Sequence, residues 1–275
     1  MIGIWGYKIA KKPTSKGFRS AYRSLSKKCT IYDSSFLNCL ELRASERRQI
    51  ISVVQSFCDP SDFAINAEMY KDGTRRGEMV LYTPNSFPFG CIGPVEFLWK
   101  VTEEGKESFL WIWVHPSFLS FLISLMDPLC EREGVKMELL EGQLQKFELR
   151  GPSALQVLAK VLQASSEQEI QVEGSKVWQV LKYVRGTCPL KGGTVLALNV
   201  KDPRTNFPPT QEVTFQGDFE SLSSLVNKLA VAWPSSASFS CLWDSHKRNQ
   251  FFRKKLVPSE FELNTQRANV NKSLL

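Results

Sequence analysis

"SFLWIWVHPSFLSFLISLMDPL", residues 108–129, is the stretch on which the fold turns. As one piece it is greasy enough for a membrane span, which needs roughly 20 uninterrupted apolar residues in a helix. His115 and Pro116 interrupt it at its centre, and a proline biases the residue before it towards extended geometry. The stretch therefore predicts two elements: a buried strand over 109–114, and a helix that begins after Pro116, with proline tolerated in its first turn. A strand followed by a helix points to a mixed body of sheet and helix, not to a membrane protein.

The same alternation extends in both directions. Upstream, "FLNCLEL" (36–42) has the pattern of a strand, and Ile50, Val53, Val54 and Phe57 follow at i, i+3, i+4 and i+7, one face of an amphipathic helix. After Asp72-Gly73, "GEMVLYT", "GPVEFLWK" and "SFLWIWVH" predict three strands separated by turn residues. Downstream, "LQKFELRG" predicts a strand. Gly151-Pro152 then opens a helix with Ala154, Val157, Leu158, Val161 and Leu162 on its buried face. A strand over 193–200, a Pro-rich loop and a helix over 220–232 complete the series. The expected fold class is α+β with pseudo-repeated strand-helix units. The boundaries are a basic arm at 1–33, a first unit at 34–140, a second at 141–245, and a basic and polar, poorly packed tail at 246–275.

Charge separates the arm from the body. The chain carries 35 Lys and Arg against 28 Asp and Glu. Its first 30 residues hold eight of those cations and no acid, so the other 245 residues are close to neutral. Such asymmetry points to a polyanionic partner, nucleic acid or an anionic surface, with a merely solvated tail as the bland alternative. Within the arm, Trp5, Tyr7, Phe18 and Tyr22 alternate with Lys8, Lys11, Lys12, Lys16, Arg19, Arg23, Lys27 and Lys28. RNA recognition needs that mixture: cations neutralise phosphates while rings stack on unpaired bases. A purely electrostatic membrane arm more often shows a continuous apolar face. Whether Trp5 and Tyr22 stack on bases or anchor the arm to the body is open at this point. A second candidate is "KDPRTNFPP" (201–209), in which Asp202-Pro203 starts a turn and Pro208-Pro209 stiffens the exit, presenting Lys201, Arg204 and Asn206. A rigidly held arginine suits bidentate contact with phosphate or a base edge, and pairing with a neighbouring carboxylate is the alternative.

Catalytic machinery is not visible. The two histidines are His115, between a strand and a proline, and His246, in a basic polar stretch with no evident carboxylate partner for its ring. No Ser or Cys can be matched to a base, and Gly192-Gly193-Thr194 lacks the spacing of a phosphate-cradling loop. The seven cysteines (29, 39, 58, 91, 130, 188 and 241) contain no CxxC pair and no zinc spacing, and their odd number favours reduced thiols in a cytosolic or nuclear compartment. The opening "MIGIWGYK" has no apolar core of signal-peptide length. No catalytic residue, metal site or cofactor is expected.

An ordered set of short pieces resembles a known family. "WGY", "RSAYRS", "CLEL", "MVLY", "GPVEFLWK", "LWIWVHP", "KFELRGP" and "VKDPRTNFP" occur in that family's order over roughly residues 5–209, with a looser match to about 243. The family is the largest protein subunit of eukaryotic nuclear ribonuclease P and ribonuclease MRP, the "processing of precursor" protein one family. The resemblance implies a fold similar to the folate-binding domain of glycine-cleavage T proteins, with "FELRGPSALQVLAKVL" as a strand-Gly-helix element of it. It implies a non-catalytic, RNA-binding scaffold in ribonucleoproteins whose RNA performs the hydrolysis. Its partners would be their structured non-coding RNA and other protein subunits, with precursor tRNA met indirectly and no membrane involved. The implied work is precursor-tRNA 5′ maturation and rRNA processing, in the nucleus and nucleolus. The family's basic segment upstream of "WGY", its C-terminal domain after "LVP" and a charged insertion between the units are missing or short, which implies a fragment. A folate-dependent one-carbon transferase and a peripheral membrane protein are the alternatives.

Overall fold

The computed structural model describes residues 2–9, 17–62, 64–101, 106–165, 172–184, 189–201 and 219–253. The chain divides into two compact units, one of Met1–Phe18, Ile31–Glu148 and Gly192–Val195, the other of Arg19–Thr30, Leu149–Lys191 and Leu196–Leu275.

The first unit opens with a hairpin, β1 (Ile2–Ile4) and β2 (Tyr7–Ile9), in which Ile4 pairs with Tyr7. Its two-residue loop is Trp5-Gly6, with φ of 53° and 82°. Positive φ at both positions is the geometry that a tight hairpin requires; glycine meets it freely and tryptophan rarely does.

A five-stranded antiparallel sheet forms the body of this unit. Its strands are β4 (Asn38–Ala44), β5 (Gly77–Tyr82), β6 (Cys91–Trp99), β7 (Ser108–Val114) and β8 (Lys136–Leu139), ordered β5-β6-β7-β4-β8. Period-two alternation sorts the side chains. Leu40, Leu42, Met79, Leu81, Val95, Phe97, Trp99, Leu110, Ile112 and Val114 share one buried core with Ile50, Val53 and Val54 of α2 (Arg47–Gln55). Leu122, Met126 and Cys130 of the later helix α4 join them. A capping box starts α2: the Glu46 backbone N–H donates to Gln49 Oε1 at 2.9 Å, and the Gln49 amide also donates to the Glu133 carbonyl at 2.7 Å. A short helix, α3 (Glu68–Lys71), precedes β5. The deciding stretch resolves as β7, the corner His115–Phe118, and α4 (Leu119–Glu133). The helix starts three residues beyond Pro116 and ends at Gly134, whose φ of 69° is the left-handed C-terminal cap that glycine accepts. No helix among the described residues is long and apolar enough to cross a membrane.

The second unit is largely helical where it is described: α1 (Phe18–Lys27, from Arg19), α5 (Ala154–Val161), α6 (Val172–Leu181), α7 (Phe219–Val231) and α8 (Ser245–Arg253). Ala159, Val177, Trp178, Leu181, Leu222 and Val226 lie at its core. The ribbon of β3 (Thr30–Asp33) and β9 (Phe147–Arg150) leads into Gly151-Pro152 and α5. Strand, short turn and helix thus recur at β4–α2, β7–α4 and β9–α5, and the class is α+β.

Three expectations are corrected. The face of α5 is rotated: Val157 and Val161 are exposed, and the helix packs through Leu155, Leu158, Ala159 and Leu162. "ALQVLAKV" carries two overlapping apolar stripes, and small Ala159 permits the closer approach. Residues 193–200 make no continuous strand, only the isolated bridges Arg75↔Thr194 and Ala164↔Val200. Their amides turn to different acceptors, Val195 N–H to the Thr74 carbonyl and Ala197 N–H to the Ala237 carbonyl, both at 2.8 Å. The basic stretch after residue 245 is packed at its start: Arg248 of α8 is 1% exposed and donates to the Leu242 carbonyl at 2.9 Å. Residues 254–275 lie outside the described residues.

Candidate nucleic-acid interface

The basic segment is built of two described pieces. In the hairpin, Trp5 is 45% exposed and meets His115 edge-on, with ring centroids 4.6 Å apart. His115 also lies against Phe36 at 5.7 Å and stacks on Phe118 at 6.2 Å. Its Nδ1 accepts the Ser117 N–H at 3.2 Å and lies 2.6 Å from the Ser117 hydroxyl. That bond leaves the neutral ring's proton on Nε2. Burial among the rings holds the His115 imidazole below the ordinary histidine range. Trp5 is therefore both anchored on one edge and open on the other. Tyr7 is half-buried, its hydroxyl 3.4 Å from Asn38 Oδ1, while Lys8 on the same strand is exposed.

The second piece is α1. Phe18, Ala21, Tyr22 and Leu25 recur at i, i+3, i+4 and i+7, and Arg19, Arg23 and Lys27 at i, i+4 and i+8, so one helix carries an apolar stripe and a separate basic stripe; the continuous apolar face expected of a membrane-binding arm is therefore present here and does not separate that partner from RNA. Both are exposed; Tyr22 is 69% exposed and no residue of the helix is buried. The helix is held at its end instead. Lys28 closes it with an N–H to the Ser24 carbonyl at 2.8 Å, and the Lys28 carbonyl accepts the Ser153 N–H at 2.9 Å. The approach is close because residue 151 is glycine: a Cβ there would lie 2.6 Å from the Lys28 carbonyl oxygen.

Lys8, Arg19, Arg23, Lys27 and Lys28 take part in none of the ion pairs found among the described residues. Cations of the sheet do: Arg76 and Lys146 share Glu96 at 2.7 and 2.6 Å, and Arg43 pairs with Glu107. Neither pairing is legible in the sequence, because the partners are far apart along it: Glu96 lies on β6 and Arg43 on β4, while Arg76, Glu107 and Lys146 each lie just before a strand. Lys201 is exposed, and its amide donates to the Gln163 carbonyl at 2.9 Å. Lys11, Lys12, Lys16, Arg204 and Asn206 lie outside the described residues. Among the described residues no group of His, Cys, Asp and Glu is placed to hold a metal ion.

Residues 1–45, which include the hairpin and α1, match the family described as "Ribonucleases P/MRP protein subunit POP1, N-terminal". Along its N-terminal residues the chain resembles the POP1 protein subunits of ribonucleases P and MRP. It is 31% identical to the human ribonucleases P/MRP protein subunit POP1 over 136 residues, covering 48% of this chain and 13% of that protein. Over 95% of its length it is 24% identical both to the Caenorhabditis elegans subunit popl-1 and to the Arabidopsis thaliana subunit POP1, covering 33% and 36% of them. The chain thus spans about a third or less of each of these relatives. Among solved structures it matches a glycine cleavage system aminomethyltransferase T from Bartonella henselae, with a TM-score of 0.35 and 16% identity over 52% of this chain and 34% of that one.

Proposed function

We propose that the chain is a non-catalytic, RNA-binding scaffold subunit of ribonuclease P and ribonuclease MRP, serving precursor-tRNA 5′ maturation and rRNA processing in the nucleus and nucleolus. The observation that carries this reading is α1. A helix with exposed cations at i, i+4 and i+8, none matched to an acid among the described residues, and exposed rings beside them is a surface for tracking a phosphate backbone and stacking on unpaired bases. The helix has no acid in its first turn and Lys27 in its last, so the positive charge is continuous along one side. The names of the relatives supply the particle, and its structured RNA and other protein subunits are the proposed partners.

The proposed contacts are Trp5, Tyr7, Lys8, Lys11, Lys12, Lys16, Phe18, Arg19, Tyr22, Arg23, Lys27 and Lys28, with Lys201, Arg204 and Asn206 as a second group. In this reading the RNA carries out hydrolysis and the protein braces it. Salt tests it: each neutralised phosphate contributes a log-log slope of about −0.7 to −0.9, so about six contacts cost roughly a thousandfold in affinity between 50 and 200 mM salt. Replacing Lys11, Lys12, Arg19 and Arg23 by Gln is expected to flatten the slope by about three units on the particle's RNA. A parent slope retained by that variant removes the segment as the phosphate-binding element.

A further inference from the structure

The β5–β6 hairpin is the electrostatic opposite of α1. From Gly77 to Trp99 the sequence holds two acids, Glu78 and Glu96, and no Lys, Arg or His, and residues 82–95 hold no charge at all. An uncharged connection usually sinks into a core. Here Phe87, Pro88, Phe89, Gly90, Cys91 and Pro94 are exposed, and Phe89 is 78% exposed.

The loop is nonetheless built. Thr83 N–H donates to the Gly90 carbonyl at 2.8 Å and closes its neck. Inside it, Ser86 N–H donates to the Thr83 carbonyl at 3.1 Å and Phe89 N–H to the Ser86 carbonyl at 2.7 Å. Two further bonds fasten it to the turn after α2: Asn85 N–H to the Ser56 carbonyl at 2.9 Å and Tyr82 N–H to the Phe57 carbonyl at 2.7 Å. The Phe87 ring meets Tyr82 edge-on at 5.1 Å, whereas the Phe89 ring has no such ring contact among the described residues. Gly90 is required where it stands, because a Cβ there would lie 2.1 Å from the Thr83 hydroxyl oxygen. An aromatic side chain held out by a closed loop has already lost most of the backbone freedom that binding would otherwise cost.

We propose that this loop is a preformed anchor that seats Phe89 in an apolar pocket of another protein subunit. The proposal rests on the subunit reading above and adds to it a second, oppositely built contact surface. Protein is the occupant, not RNA, because no cation stands on the loop or on either of its strands to neutralise a phosphate, and the nearest charges along the chain are Glu78 and Glu96. A buried aromatic ring surrounded by uncharged contacts is the form that protein hot spots take. Depletion of charge with enrichment of aromatic residues marks the core of such interfaces.

The test uses the chain assembled in its particle. A photoreactive phenylalanine analogue is placed at position 89 in one preparation and at position 22 in another, and the cross-links are sorted by ribonuclease digestion and peptide sequencing. The expected result is a ribonuclease-resistant link from position 89 to one stoichiometric polypeptide other than this chain, and a link from position 22 to RNA. Phe89→Ser is then expected to lower recovery of that polypeptide at least tenfold, with RNA recovery and thermal midpoint unchanged. Linkage of position 89 to RNA, to a second copy of this chain or to nothing, while position 22 still reaches RNA, overturns the inference. If no structured RNA accompanies the chain and neither position links, the subunit reading itself has failed and the inference falls with it.

Discussion

Arg76 and Arg23 are both surface arginines, but they are placed for opposite ends. Arg76 and Lys146 both donate to the one carboxylate of Glu96. Arg23 lies midway along a basic stripe and pairs with no acid among the described residues. The first arrangement consumes charge inside the protein; the second leaves it for a partner. Pairing, more than the number of cations, marks a surface that can bind a polyanion, and the sheet would be misjudged by counting lysines and arginines alone.

The sharpest way to break the comparison is to remove the shared acid. Glu96 is 23% exposed and Lys146 17% exposed, and Lys146 also lies 5.7 Å from the centre of the Trp113 ring. Glu96→Gln leaves Lys146 without its carboxylate, whereas Arg76 keeps its second partner Glu78 at 3.2 Å, and it is expected to cost about 2 kcal/mol, read as a lower urea midpoint at unchanged m-value. Its RNA affinity at a temperature where it remains folded is expected to equal the parent's. A weaker RNA complex from this variant would place the sheet face, and not α1, at the interface.

The converse substitution is smaller in stability and specific in binding. Arg23→Gln removes no recorded partner, so thermal stability is expected to change by less than about 0.5 kcal/mol, while the salt slope for RNA flattens by about 0.7–0.9. Arg23→Lys, which keeps the charge, is expected to restore most of the slope. Loss of stability without change of slope would mean that Arg23 is bound into the fold like Arg76.

Trp5 combines both roles. Its left-handed backbone suits Gly or Asn better than Trp, so the ring persists at some conformational cost for what it touches. Trp5→Asn is expected to leave stability within about 1 kcal/mol, relief of the turn offsetting loss of the His115 contact, and to weaken RNA binding by about 1–3 kcal/mol with the slope intact. Unchanged affinity would assign the ring wholly to the hairpin.

How much of this was legible beforehand depends on the range of the physics involved. The corner at His115-Pro116 and the helix start near Gly151-Pro152 rest on local backbone preferences, and the positions of β4, β5, β6, β7, α2 and α4 follow from short periodicities, whereas the helix after Asp244 was missed because its polar, basic surface hides the burial of Arg248. The segment 193–200 failed because an apolar run records burial but not which neighbours will take its amides. The face of α5 failed for a related reason: where every third or fourth residue is apolar in two registers, the partner's shape selects the stripe. The basic stripe of α1 could be read from spacing, whereas its lack of acid partners among the described residues could not, since pairs such as Lys146–Glu96 join residues far apart in sequence.

The smallest expected effect probes the anchored edge of Trp5 through pH. Burial among Trp5, Phe36 and Phe118 lowers the His115 pKa, so the unfolded chain, with an ordinary value near 6.5, takes up a proton before the folded one. Stability is then full above about pH 6.5 and declines as pH falls from there through the folded value. The neutral form is the one the fold selects, because Nδ1 must keep its lone pair for the Ser117 N–H. His115→Gln can offer a side-chain oxygen to the same N–H but does not titrate. Thermal midpoints measured from pH 7.5 to 5.5 are expected to fall more for the parent than for this variant, with the difference removed above pH 7. Equal slopes for the two proteins would mean that the ring cluster does not disfavour the imidazolium, and that Trp5 is held by its turn alone.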